Sequence, residues 1–229
     1  MKGYRIAVIR HGRTKANDSG IYIGKTDYPL TEEGKEELRE LYEKYEYPKV
    51  GRVYTSPLER AVQTAEILFP DREMTEIDDL REMDFGAFEG CRAEELAQLD
   101  SYKKWLKGGL DNPPPNGESM RNMMVRTYTA LNTVLLDMME DGIDYSAIVT
   151  HSGILMNMMS CFGLPKFKPM EFACPMGHGY EILMTAQMWQ QGYCFEILRK
   201  LPGYESVGYD DAGEPLFDVP EEEGYEGAF

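Results

Sequence analysis

Along this chain, short apolar runs alternate with longer stretches in which apolar positions recur every three or four residues. The short runs read as strands: 4–9 (YRIAVI), 52–55 (RVYT), 74–77 (MTEI), 145–150 (YSAIVT), 179–184 (GYEILM) and 193–198 (YCFEIL). The longer stretches read as helices at 31–46, 57–69, 92–107, 118–141 and 153–162. In the first, Leu38, Leu41, Tyr42 and Tyr45 share one helical face. In 118–141, Met120, Met124, Tyr128, Leu131, Leu135 and Met138 form an apolar stripe, and Gly142 supplies a stop. Ser56, Pro57 and Glu59 predict a capping box opening the 57–69 helix, which Pro70 ends.

Strands alternating with helices imply an α/β fold: a three-layer α/β/α sandwich whose central sheet is mostly parallel and about six-stranded. Such sheets carry their sites beyond the carboxyl ends of the strands. The stretch "GGLDNPPPNGES" (108–119) is a loop by composition, its three consecutive prolines imposing extended geometry.

Composition narrows the class. With 229 residues, 42% hydrophobic and 28% charged, the chain can bury one sizeable core. No apolar run approaches the ~20 residues of a membrane span, and Arg5 and Arg10 interrupt any signal-peptide core, so a cytoplasmic protein without membrane contact is expected. The net charge of −16 argues against nucleic acid as a partner. Nine acidic residues and no basic one fall in 203–229, which marks 201–229 as an acidic, aromatic-containing extension beyond a unit of residues 1–200. Whether that extension packs on its own core or across a homodimer is open at this level. Cys91, Cys161, Cys174 and Cys194 are too dispersed for a zinc motif or a disulfide framework, and no metal or other cofactor is expected. The fifteen methionines read mainly as core, although Met120, Met123 and Met124 beside the proline loop could line an adaptable apolar pocket. Trp105 reads as helix packing, with stacking on a substrate ring the sharper alternative.

The chemistry concentrates where apolar runs stop. "AVIRHG" delivers Arg10 and His11 to a strand end, with Gly12 allowing close approach to the backbone. An imidazole held through one nitrogen can attack with the other, while arginine neutralises an anionic target. A surface turn that happens to carry Arg-His would account for this stretch alone. "AIVTHSG" repeats the architecture with His151 and Ser152, "SPLERAVQTA" places Arg60 in the first turn of a helix, and "LREMDFGAFEG" sets Glu82 among apolar residues. "GKT" at 24–26 is not a phosphate-binding P-loop, because Ser19 stands where its first glycine belongs. "NDS" at 17–19 is a chance sequon, and His178 reads as structural or exposed.

These four motifs, in this order, resemble the histidine phosphatase superfamily, in its phosphoglycerate mutase-like branch. The likeness spans 4–153, and "YIGKTDYPLTEEG" (22–34) adds to it. It implies a phosphoglycerate mutase-like fold in which His11 attacks phosphorus and becomes a transient phosphohistidine. Arg10 and Arg60 would grip the phosphoryl oxygens, His151 would add a hydrogen bond or charge, and Glu82 would protonate the leaving group. Gly12, Thr14, Asn17, Gly24 and Ser152 would contact the phosphate or substrate.

Within the family, 68 residues separate Glu82 from His151, shorter than the mutase pattern, and "MDFGAFEGCRAEEL" looks more like the small α-ribazole-phosphatase-like phosphomonoesterases. The expected activity is hydrolysis of a small phosphorylated metabolite, with residues 91–126 capping the site. Phosphoryl transfer of the mutase kind and a catalytically idle phosphate-binding protein are the alternatives. Because the chain is acidic, Arg13, Lys15 and Arg81 are expected to help Arg10 and Arg60 attract an anion.

Overall fold

Every apolar run becomes a strand, and the runs that are apolar without interruption lie at the centre of the sheet. A computed structural model describes residues 2–45 and 47–203; the acidic extension from 204 onward lies outside the described residues. In chain order, β1 (Gly3–Arg10) leads through α1 (Lys15–Ser19) and α2 (Glu32–Lys44) to β2 (Arg52–Thr55), α3 (Glu59–Leu68) and β3 (Met74–Glu76). A loop region with two short helices, α4 (Ala93–Leu96) and α5 (Asp100–Leu106), precedes the long α6 (Met120–Glu140). Then follow β4 (Tyr145–Thr150), α7 (Ser152–Phe162), β5 (Gly163–Leu164), β6 (Gly179–Thr185), α8 (Ala186–Gly192) and β7 (Phe195–Leu201).

The sheet has seven strands in the order β3-β2-β4-β1-β6-β7-β5, against the expected six or so. The extra strand, β5, is two residues long and pairs with β7, too short to leave a periodic trace in sequence. Strand β6 runs antiparallel to both neighbours, and the other pairings are parallel. Alternate residues of one strand feed two cores. Ile6 and Val8 pack with α6, α7 and α8 on one face, while Ala7 and Ile9 pack with α2 and α3 on the other. That two-sided burial is why β1 and β4 read as continuous apolar runs rather than alternating ones. Among the described residues, no helix is long and apolar enough to cross a membrane.

Two helix predictions need correction. The 92–107 stretch breaks between α4 and α5, because Leu96 and Tyr102 would lie about 120° apart around one straight helix. The break lets both reach the core, at 3% and 4% exposure. Helix α3 begins at Glu59, two residues later than the capping box predicts. Its Glu59 N–H donates to the Asp27 carboxylate at 3.0 and 3.1 Å, while Ser56 Oγ accepts from the Leu58 N–H at 3.3 Å and bonds His151 Nε2 at 2.8 Å.

Candidate active site

The register of two neighbouring strands sets the site. Arg10 of β1 pairs with Thr150 of β4, so His11 and His151, the next residues of each chain segment, emerge side by side. The His11 N–H donates to the Thr150 carbonyl at 2.9 Å, and the two rings lie 5.1 Å apart at 59°. Strand β2 ends on the far side of β4, where the Ser56 N–H donates to the Val149 carbonyl at 3.0 Å. The first turn of α3 then carries Arg60 over the same edge.

His11 is held in one tautomer. Its Nδ1 lies 2.7 Å from the Gly12 carbonyl, which can only accept, so Nδ1 carries the proton and Nε2 keeps its lone pair. The Gly12 N–H donates to Thr64 Oγ1 at 2.9 Å, and that hydroxyl donates to the Arg60 carbonyl at 2.7 Å. A Cβ at position 12 would stand 2.7 Å from a Leu38 methyl, so the close turn needs glycine. Burial above all, then Arg60 and Arg10, hold the His11 pKa well below the ordinary imidazole value.

The two predicted arginines are both buried, at 7% and 2% exposure, but differ in their partners. Arg10 donates from Nη1 to the Cys174 carbonyl at 2.7 Å, and its buried Nε has no acceptor among the described residues. Arg60 is tied through Nη2 to the Gly24 carbonyl at 2.8 Å, through Nη1 to the Thr26 carbonyl at 3.0 Å and through Nε to His151 Nδ1 at 3.2 Å. His151 therefore accepts at Nδ1, and its Nε2–H donates to Ser56 Oγ at 2.8 Å. Both of its nitrogens are occupied within the protein in this geometry. Burial, with Arg60 and His11 next in weight, keeps its pKa well below the ordinary value.

Glu82 enters from the loop after β3 and is 5% exposed. Its Oε1 accepts from the Met83 N–H at 2.8 Å and its Oε2 from the Gly153 N–H at 3.0 Å. Burial raises its pKa against those two bonds and the charges of Arg60 and Arg126. Burial is the largest of these effects, so the proton-bearing form is favoured relative to a free carboxyl group.

Arg10, His11, Thr14, Asn17, Arg60, Glu82 and Ser152 line one narrow cavity. Asn17 Oδ1 accepts from the Thr14 N–H at 3.0 Å and from its hydroxyl at 2.9 Å, which ties the two together. Gly24 acts through its carbonyl on Arg60, and a Cβ there would overlap the Met83 carbonyl. Gly12 lies outside the wall of this cavity and lines a neighbouring one that shares Arg10 and Asn17 with it. Of the expected outer cations, Arg13 is matched by Asp18 at 2.9 Å and Glu37 at 3.0 Å, and Arg81 by Asp78 at 2.6 Å. Among the described residues, Arg10 and Arg60 are the arginines that line this cavity, and Arg13 lines the neighbouring one. His178 contacts the Met176 carbonyl at 3.0 Å, in keeping with a structural role.

Sequence reasoning missed four supports. Thr64 orients Gly12, and Ser56, read as a helix cap, holds His151. Arg126 of α6 donates to the carbonyls of Asp79, Arg81 and Glu82 and pairs with Glu118 at 2.7 Å, bracing the segment that carries Glu82. Gly153 was visible as part of "THSG", but its partner lies 71 residues away. Among the described residues, no group of three His, Cys, Asp or Glu side chains is placed to hold a metal ion.

Comparison with known proteins shows the family and the fold. The sequence profile of the histidine phosphatase superfamily (branch 1) matches residues 6–191. An adenosylcobalamin/alpha-ribazole phosphatase from Salmonella typhimurium is 32% identical over 155 residues, covering 66% of this chain and 75% of that protein. The crystal structure of the alpha-ribazole phosphatase from Shigella flexneri superposes with a TM-score of 0.73 at 26% identity, covering 90% of this chain and 100% of the other. A phosphoglycerate mutase structure from Bacillus anthracis, at 21% identity, shares the fold with a TM-score of 0.70 over 90% of this chain and 93% of that one.

Proposed function

We propose that this chain, which belongs to the histidine phosphatase superfamily (branch 1), is a metal-independent phosphomonoesterase acting on a small phosphorylated metabolite through a phosphohistidine at His11. One observation carries the reading: His11, tied through Nδ1 to Gly12, shares its cavity with the buried, proton-favouring Glu82. The relatedness to phosphatases supports the direction of the reaction. Residues 1–200 form the catalytic unit in this reading, and 91–126 its cap.

The His11 Nε2 lone pair attacks phosphorus as the bond from phosphorus to the ester oxygen breaks. The departing oxygen takes the Glu82 proton and leaves as an alcohol. Water then enters, Glu82 accepts one of its protons, and the hydroxyl oxygen attacks phosphorus. The N–P bond breaks, its electron pair returns to Nε2, and inorganic phosphate departs with Glu82 again protonated. Phosphoryl transfer spreads charge over three oxygens, so fixed donors contribute most where that charge develops. The unpartnered Arg10 Nε is one such donor, and Asn17, Thr14 and Ser152 surround the remaining oxygens. Arg60 contributes its charge from a frame fixed by Gly24, Thr26 and His151, which makes His151 a positioning residue for that arginine.

The test is hydrolysis of p-nitrophenyl phosphate with and without EDTA, paired with acid-quench trapping of a phosphorylated protein. Wild type should turn over in both conditions and trap one acid-labile phosphoryl group. His11→Ala should lose both signals, with a rate reduction on the order of 10⁴-fold or more. A chelator-sensitive rate, or a trapped phosphoryl group that survives in His11→Ala, would overturn the mechanism. Isomerisation of phosphoglycerate in place of hydrolysis would identify a mutase.

A further inference from the structure

Next to the two residues that hold Glu82 lies a second cavity, whose lining shares no residue with the first. Met83 and Gly153, whose N–H groups hold the two oxygens of Glu82, also form its wall. Phe85, Trp105, Met120, Met123, Met156, Asn157 and Pro169 line the rest, and none of these side chains is charged. Its volume is about 100 Å³. An apolar cavity of roughly 150 Å³ takes a benzene ring. Methionines rearrange readily, so modest movement of this wall admits a group of that size.

Asn157 is the anomaly. It is 6% exposed, within the apolar stretch Ile154–Met159 of α7, and its buried Oδ1 has no hydrogen-bond partner among the described residues. Its Nδ2 reaches nothing better than the Met120 thioether, at 3.4 Å. A buried carboxamide without a strong partner is destabilising, and it is explained when a ligand supplies the missing donor.

In-line displacement fixes where the substrate must extend. The leaving oxygen lies opposite His11 Nε2 across phosphorus, within reach of Glu82, so the alcohol portion continues past Glu82. We infer that this methionine-walled cavity is the leaving-group pocket, and that it selects phosphomonoesters whose alcohol carries a compact apolar, ring-sized group with an N–H or O–H donor for Asn157 Oδ1. Polyol and carboxylate-bearing alcohols are disfavoured, because the lining offers no cation and few polar groups to replace their water. The inference rests on the phosphomonoesterase reading for its place in turnover, but not for binding.

The experiment compares benzyl phosphate, 3-aminobenzyl phosphate and glycerol 1-phosphate as substrates, and the corresponding phosphonates as non-hydrolysable ligands by calorimetry. Benzyl phosphate should exceed glycerol 1-phosphate in kcat/KM by about 10-fold or more. The amino-bearing ester should gain a further factor of about 3–10 from the donor. Asn157→Leu should erase the difference between the two benzyl esters. Met120→Lys, at a half-exposed position on the rim that tolerates a charge, should weaken both benzyl ligands relative to the glycerol one. Equal treatment of the three substrates by wild type, with p-nitrophenyl phosphate hydrolysed normally, overturns the pocket and leaves the phosphatase reading intact. Selective binding of the benzyl phosphonates without turnover of any ester supports the pocket and overturns the phosphatase reading. Equal binding of all three phosphonates, with no turnover, overturns both.

Discussion

The Gly153 N–H donates to Glu82 Oε2 at 3.0 Å, and a methyl group at position 153 would stand 2.5 Å from the other carboxylate oxygen. The second residue of α7 thus both holds the carboxyl group and makes room for it. Gly153→Ala should displace the acid while leaving His11 and Arg10 in place. Displacements of about 1 Å cost on the order of 10²-fold in rate. An alkyl phosphate, whose leaving group needs the proton, should therefore lose far more than p-nitrophenyl phosphate. Equal losses on the two substrates would show that Gly153 does not act through Glu82.

The pH dependence follows from the two shifted groups. His11 works neutral and its pKa is lowered from 6.5, so the acid limb of kcat/KM should fall well below that value. Glu82 works protonated and its pKa is raised from 4.5, so activity should decline only as pH rises through that raised value. With an alkyl phosphate, whose leaving group needs the proton, Glu82→Gln should keep the acid limb and lose the alkaline one. An acid limb at or above 6.5, or an unchanged alkaline limb in the variant, would contradict the assignment.

Arg126 offers a separable test of support. Arg126→Ala removes donors from three carbonyls and the partner of Glu118, which should lower stability by about 1–3 kcal/mol in a denaturant titration. Because its charge lowers the Glu82 pKa, its removal should also move the alkaline limb to higher pH. A loss of stability with the limb unmoved would reduce Arg126 to a structural brace.

The orphaned Arg10 Nε predicts anion binding in the resting protein. Inorganic phosphate at about a hundred times its dissociation constant should stabilise wild type by about 2.7 kcal/mol, visible as a rise in Tm. Arg10→Ala should lose most of that rise. Arg13→Ala should retain it, since Arg13 is already matched by Asp18 and Glu37. A phosphate-induced shift that survives Arg10→Ala would place the anion elsewhere.

The sequence alone was enough for the element types, the α/β class and the principal residues of the cavity. Continuous apolar runs such as Ile6–Ile9 and Ala147–Val149 are what a strand buried on both faces requires. Each of these runs ends at a histidine, and a histidine with an arginine at a buried strand end calls for an anion. These are local signals, written in consecutive residues. Contacts between distant segments have no such trace. Nothing near Gly153 announces Glu82, nothing in α6 announces that Arg126 braces residues 79–82, and the capping signal at Ser56 gave no hint of His151. The order β2-β4-β1, which sets His11 beside His151, depends on how whole layers pack. Whether Asn157 Oδ1, Arg10 Nε and the Glu82 oxygens find partners was likewise decided by tertiary structure, because a hydrogen bond is made or missed by neighbours in space rather than along the chain.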